Sequence, residues 1–557
     1  MNMNTTRLEH TVAIVDLTTK SWHLEHLSES VLHRYIGGEA LSLYLYKQYQ
    51  AQEPIVFSLG LLAGSSVVGT NLLSITARSP LTNRIESATL TTPSASYLSS
   101  THIRSIVLLE AAEQHTIVGI ERDTISFLPA KEIEGKRVKE SISYLQAKGY
   151  DGVLAIGPAG ENQSPYASIV TESYATERKG FGSLLGHKHV KALSIKQGEG
   201  GYPIEENPSF EKAHQQFLTR ISRSPLLHMV EQKGMLALIS QLHTRGALSI
   251  EAMTHTYDKR MYHYSPSEYY RKQNTIVFPD YMRGSSVSID LLSLLALGPN
   301  VGNFDSQMAI SWWKESCDLG LDPVSIGMVI ASSMDHFPPP YEGVSSLIGL
   351  IAGANDVKVF HHCSIDTYPL APFNPKGGWG NALLMGLYED VPLFAELILQ
   401  WLPSHSLRSK VEHVVLQENL LSASRSFGID EYLFLTLAYE GEYPRLLRPI
   451  KWVLSRFPIF VSHLVDMTFL GKLFSPLCDT CDMPDEKLID IGRRSIALKR
   501  QLNAPHYYPG VMPRRFSYIE EGDDPTQKIL PYRELTKRYQ FQRKLDEAHL
   551  KDFEDEK

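Results

Sequence analysis

Short apolar runs rich in β-branched residues recur through the first two hundred positions: Thr11 to Val15, Ile55 to Leu59, Leu72 to Thr76, Ile103 to Leu109 and Thr116 to Ile120. Bounded by Gly, Ser and Thr, such runs predict strands, so this third of the chain reads as mostly sheet. Two helices are expected within it, Glu39 to Tyr49, with Ala40, Leu43, Tyr44 and Leu45 apolar, and Glu134 to Lys148. The segment Gly198 to Pro203 has linker composition.

Beyond about residue 205 the period changes. Phe210 to Ser222, Ser224 to Leu242, Leu291 to Leu297 and Gln307 to Asp318 follow helical spacing. Pro338-Pro339-Pro340 breaks the pattern, Pro369 to Gly380 forms a long irregular loop, and a helix resumes over Ala382 to Leu402. Asp485 to Leu502 places Leu488, Ile491, Ile496, Leu498 and Leu502 on an amphipathic helix, and the charged tail after Asp546 is expected to fray. The pattern predicts an α+β multidomain chain: a β-rich N-terminal domain over 1–204, then mainly α-helical domains over 205–405 and 406–557.

Composition changes this picture little. A chain of 557 residues exceeds one hydrophobic core, and 43% hydrophobic with 21% charged residues is ordinary for a globular protein. A net charge of -8 without a basic cluster argues against nucleic acid as a partner. With no apolar run near about eighteen residues and no apolar leader, the expectation is a cytoplasmic chain without a membrane span. The four cysteines, Cys317, Cys363, Cys478 and Cys481, are expected to be reduced thiols.

The densest candidate chemistry follows the apolar run Gly152 to Ile156. Gly157-Pro158-Ala159-Gly160 turns the chain, and Arg178-Lys179-Gly180-Phe181-Gly182 sets two cations beside glycines that let backbone N–H groups approach an anion. The same residues are equally a glycine-rich turn with solvated cations. Gly320 suits a helix C-cap; Asp322 could reach a ligand there or simply cap the next helix, and Asp466 poses the same choice. Cys478 and Cys481 have metal-ligand spacing but no evident partners, and the histidines, His361-His362 included, are scattered without an HExxH string.

Together these strings resemble the tungsten-containing aldehyde:ferredoxin oxidoreductase family. Ile36 to Leu41 resembles its GGRGL turn; Gly60 to Gly64 and Arg78 to Thr82 stand where the family has GPLTG and KSPLTG. Ile156 to Asn162 matches IGPAGEN, Arg178 to Ala192 resembles RGGLGAVMGSKNLKA, and Leu297 to Gly302 resembles LGPNLG. Gly320 to Gly327, Asn374 to Lys376 and Ile491 to Asn503 resemble GLDTISxG, DPR and IGERIxNLERLFN. The resemblance implies a β-rich pterin-binding domain and two helical domains around a tungsten or molybdenum ion held by the dithiolenes of two pyranopterins with magnesium. It places Arg178, Gly180 and Gly182 at the pterin phosphates, and Thr89, Gly320, Asp322, Asp466 and Leu470 among the other pterin contacts.

The departures are systematic. The family's four-iron cluster cysteines fall at Thr275, Phe278, Met282 and Gly471, none of which gives a thiolate, so no four-iron cluster is expected. The family's Asn-Ser-Gly-Gly turn appears as Thr89-Leu90-Thr91-Thr92, its SGR arginine as Leu72, and the leading acid of its first DxxGLD string as Cys317. Of its PEYE acids only Asp290 remains, as the candidate catalytic base. The reading that follows is a divergent relative that has lost its redox chemistry and serves as a scaffold, ligand-binding or partner subunit. The alternative is a tungsten or molybdenum bis-pyranopterin oxidoreductase acting on an aldehyde or related oxo substrate. It would pass electrons to a separate redox partner or a cluster-bearing homologous subunit. A homodimer is a further candidate assembly.

Overall fold

Strict alternation along β1 (Thr11–Asp16) sends Val12 and Ile14 to one face of a sheet and Ala13 and Val15 to the other, and both faces are covered. In this computed structural model the described residues are 10–199, 208–233, 235–265, 289–334, 341–356, 363–389, 404–407, 410–440, 488–504, 509–519 and 528–555. Seven further strands follow β1 up to residue 129: β2 (Ser21–His26), β3 (Ile55–Leu59), β4 (Leu72–Arg78), β5 (Ile85–Thr91), β6 (Ile103–Leu109), β7 (Thr116–Glu121) and β8 (Thr124–Pro129). After them come β9 (Gly152–Ala155), β10 (Val170–Thr171) and β11 (Val190–Ile195).

Two mixed sheets result. One runs β2-β1-β6-β3-β4-β5, with only β1 and β6 parallel; the other runs β10-β9-β11-β7-β8, with β11 and β7 parallel. They share one apolar layer, in which Ala13, Phe57, Ile75 and Leu108 meet Val118, Leu154, Leu193 and Ile195. The opposite face of the first sheet is closed by the helix Gly38–Gln48, which buries Leu41, Leu45 and Tyr46 against Val12, Val56 and Val107.

From residue 208 onward the described elements are mostly helical. The helix Lys410–Phe427 is buried along its whole length and packs on the helices Gly38–Gln48, Trp379–Gly386, Leu488–Leu502 and Tyr532–Asp555. It therefore ties the sheets to the helical half. Ser426 Oγ accepts the Ala40 N–H at 3.1 Å, and Leu61 and Leu62 donate to the carbonyls of Ser426 and Phe427.

Several expectations are corrected. β2 and β8 are exposed edge strands whose polar sequences hid them, and β5, also not anticipated, runs through Thr89. The segment 224–242 divides into Pro225–Lys233, a short 3-10 turn at Met235–Leu238 and Ile239–Thr244. Of the helix expected over 382–402, the described part is Trp379–Gly386, which ends before Tyr388 at φ 61°; 390–402 lie outside the described residues. The tail does not fray at Asp546: its helix continues to Asp555.

Candidate functional site

The glycine-rich loop is built by close backbone approaches. Gly180 takes φ 77° at the start of the helix Phe181–His187, and a Cβ there would lie 2.7 Å from the Pro165 carbonyl oxygen. Gly182 lies against the backbone of Ser168. Only glycine fits at either position.

The N–H groups of this loop already hold an anion, and it belongs to the chain. Lys179, Phe181 and Gly182 donate their backbone N–H groups to the Glu177 carboxylate at 2.5, 2.9 and 3.3 Å, and Ile169 donates at 3.3 Å. Glu177 is 2% exposed, and burial pushes its carboxyl up to about 7, against the pull of the Lys179 N–H. The side chains turn inward as well. Arg178 Nη2 donates to the carbonyls of Pro369 and Leu370 at 3.2 and 3.4 Å, and its Nε lies 3.9 Å from Asp322 Oδ2. Lys179 Nζ donates to the Tyr368 hydroxyl at 3.0 Å and the Tyr388 carbonyl at 2.6 Å.

Asp322 caps the helix Pro323–Ser332, accepting from the N–H groups of Val324 and Ser325 at 3.3 and 2.8 Å. Burial raises its carboxyl above the usual range, and Arg178 pulls it back. Gly320, at φ 79°, ends the preceding helix Ser306–Leu319 and packs on Gly157. The structure thus brings Arg178 and Asp322 together, beside the loop and the IGPAGEN turn.

Asp290 is an exposed helix cap: its carboxylate accepts the N–H of Ser293 at 2.9 Å and the Ser293 hydroxyl at 2.5 Å. Cys317 is fully buried, and burial, then the charges of Asp290, Asp322 and Asp318, hold its thiol well above the usual range. Thr89 lies in the β4–β5 ladder opposite Ser74, and its hydroxyl donates to Glu431 Oε1 at 3.4 Å.

Glu431 opens onto a buried ionic network whose members lie far apart along the chain. Arg425 pairs with Glu431 at 2.5 Å, Glu39 at 3.5 Å and Glu389 at 4.0 Å; Lys499 pairs with Glu389 at 2.5 Å and Glu86 at 2.9 Å. Burial pushes Glu389 up, but Lys499, Lys179 and Arg425 outweigh it and its carboxyl titrates below the usual range. Glu39, wholly buried, has no well-aligned hydrogen bond on either oxygen; burial raises its carboxyl and Arg425 opposes. Because Tyr388 accepts from Lys179 and Glu389 follows it, the network runs on from the glycine loop to Thr89. The local signals were faint: an acid, Glu39, in an apolar helix, and Arg425 among serines.

Asp466, Leu470, Thr275, Phe278, Met282 and Gly471 lie outside the described residues, as do Cys478 and Cys481. Among the described residues no group of three His, Cys, Asp or Glu side chains is disposed to hold a metal ion, and no helix is long and apolar enough to cross a membrane.

Residues 12–197 match the aldehyde ferredoxin oxidoreductase N-terminal domain family. The tungsten-containing aldehyde ferredoxin oxidoreductase of Pyrococcus furiosus is 23% identical over 349 residues, covering 58% of this chain and 58% of that protein. The match thus spans less than two thirds of that relative's length. An aliphatic sulfonate oxidoreductase, WOR-like subunit, from the same organism is 28% identical over 214 residues, 34% of each chain. Among solved structures, the active-site complex BamBC of benzoyl coenzyme A reductase with 1,5-dienoyl-CoA superposes with a TM-score of 0.66, covering 96% of this chain and 95% of that one. At 15% identity that likeness speaks to the fold alone.

Proposed function

The chain belongs to the aldehyde ferredoxin oxidoreductase family, and from that premise we propose that it is a divergent member without redox chemistry of its own, acting as a scaffold or ligand-binding subunit for a partner. One observation carries the reading: the glycine-loop N–H groups are bonded to Glu177.

The family implies a metal ion on two pyranopterins whose phosphates a glycine loop and arginines would grip. The residues present do not fit that group. The loop donors face a carboxylate of the chain, and a second anion placed there would meet its repulsion. Arg178 is turned to two backbone carbonyls and Asp322, and Thr89 is held in a regular strand ladder instead of a glycine turn. No reaction step is therefore assigned through a pterin-bound metal. Threonine, phenylalanine, methionine and glycine at the cluster positions offer no thiolate for four irons, which supports the same reading.

A subunit role is supported by one relative that is named a WOR-like subunit. The competing reading, an active tungsten or molybdenum oxidoreductase relying on an external electron acceptor, draws on the convergence of Arg178 and Asp322 beside the loop. Elemental analysis of protein purified from cells supplied with tungstate and molybdate separates the two. Absence of stoichiometric tungsten, molybdenum and iron is expected; one metal per chain, or four irons, overturns the proposal.

A further inference from the structure

The helix Lys410–Phe427 carries a polar stripe that the described structure does not use. Lys410, His413 and Gln417 are 0%, 1% and 1% exposed. Lys410 Nζ, both ring nitrogens of His413, and both the amide nitrogen and oxygen of Gln417 have no hydrogen-bond partner among the described residues. Their spacing of three and then four residues puts the side chains on one helix face, over a length of about 10 Å. Burial lowers the His413 imidazole to about 3, and the positive charge of Lys410 adds to the effect.

Buried polar atoms in folded proteins are almost always paired, and a buried cation without a counter-charge is the most expensive exception. Four other buried cations of this chain obey the rule. Buried Lys179, Lys191 and Lys499 each meet carbonyl, hydroxyl or carboxylate oxygens, and buried Arg543 meets Glu418, Asn419 and Asp546. Five unpaired atoms on three positions of one helix face therefore mark a place whose partner is not among the described residues. The donor set fixes its chemistry. An ammonium, near the positive end of a long helix, calls for a negative group; a neutral imidazole and a carboxamide, each able to donate or accept, suit hydroxyl or amide groups further along.

We propose that Lys410, His413 and Gln417 form a buried binding site for a small metabolite bearing a carboxylate or phosphate at the Lys410 end and hydroxyl or amide groups toward Gln417. The site stands whether or not the chain binds a metal.

The test uses the full-length protein, with succinate and inorganic phosphate as probes at constant ionic strength, read by thermal shift and calorimetry. A saturable rise in melting temperature with either probe is expected, succinate identifying a carboxylate ligand and phosphate a phosphate ester. Lys410→Met removes an unpaired buried charge at nearly constant volume. It should melt at or above the wild-type temperature in probe-free buffer while losing the probe response at least tenfold. Gln417→Leu should weaken a ligand recovered by native mass spectrometry without removing the response to the simple anions. Three results would each overturn the proposal: no saturable response to either probe, a response surviving Lys410→Met unchanged, or a Lys410→Met protein less stable than wild type in probe-free buffer. The metal analysis above reads neither response, so the two proposals fail independently.

Discussion

Glu177 Oε1 accepts the backbone N–H of Phe181 at 2.9 Å, so the first turn after the glycine loop is closed by an acid only four residues upstream of it. The acid is wholly buried, and burial pushes it from 4.5 up to about 7. A carboxyl raised in the fold contributes stability that is fully present below its unfolded value and is lost as pH rises through about 7. Glu177→Gln keeps a carbonyl acceptor for the loop and cannot ionise, so it escapes this loss. The stability of wild type relative to the variant should fall by about 1.4 kcal/mol for each pH unit between 4.5 and about 7, and level off above. Urea midpoints of both proteins between about pH 5 and about pH 8 measure the slope and its plateau. A difference that does not change with pH would mean that Glu177 keeps the same charge throughout and that its burial is misjudged.

Arg425 is the shared cation of Glu431, Glu39 and Glu389. Arg425→Met leaves those buried acids without it and should cost about 3–5 kcal/mol. Glu39→Gln, by contrast, removes a carboxylate with no well-aligned hydrogen bond and should be nearly neutral alone. In the double variant Glu39→Gln should restore about 1–2 kcal/mol of the Arg425→Met loss, since one unpaired acid has gone. Chemical denaturation of the three variants tests this; purely additive effects would show that Glu39 does not sense Arg425.

Most of the scaffold was legible in the chain because burial imposes period on sequence. The runs at Ile55 to Leu59 and Ile103 to Leu109 coincide with β3 and β6, and Leu291 to Leu297 is a helix with those ends. The edge strands β2 and β8 escaped because one side of each faces water and carries polar residues. The candidate site was half legible. Glycines at 180, 182 and 320 announced tight backbone, and the structure gives each a close contact that excludes a side chain. What the glycines enclose was not legible: an anion cradle has the same sequence whether it holds a ligand or Glu177. Long-range partners such as Lys499 with Glu86 follow no local rule and appear only once helices and sheets are docked.

Gly320 separates backbone strain from packing. At φ 79° a side chain is disfavoured, and a Cβ would also collide with the Gly157 backbone nitrogen of the IGPAGEN turn. Gly149, at φ 90°, has nothing within 4 Å of the same position. Gly149→Ala should therefore cost only the conformational penalty, about 1 kcal/mol, whereas Gly320→Ala should cost about 3 kcal/mol. Equal losses in denaturation experiments would mean that the contact between the two segments relaxes freely.

Arg178 and Asp322 allow the structural and cofactor readings of one pair to be told apart without loading the protein. If Arg178 exists to grip an external phosphate, Arg178→Met leaves the unliganded chain as stable as before. The geometry predicts otherwise, because the guanidinium serves the carbonyls of Pro369 and Leu370 and the buried Asp322 charge. Arg178→Met should cost about 3 kcal/mol by leaving Asp322 uncompensated. Asp322→Asn keeps one oxygen to cap the helix and should lose about 1 kcal/mol, and combined with Arg178→Met it should recover about 1–2 kcal/mol of the larger loss. Urea unfolding of the metal-free variants gives the coupling directly. Additivity within about 0.5 kcal/mol would break the inference that these two residues stabilise one another, and would return Arg178 to the pool of groups waiting for a ligand.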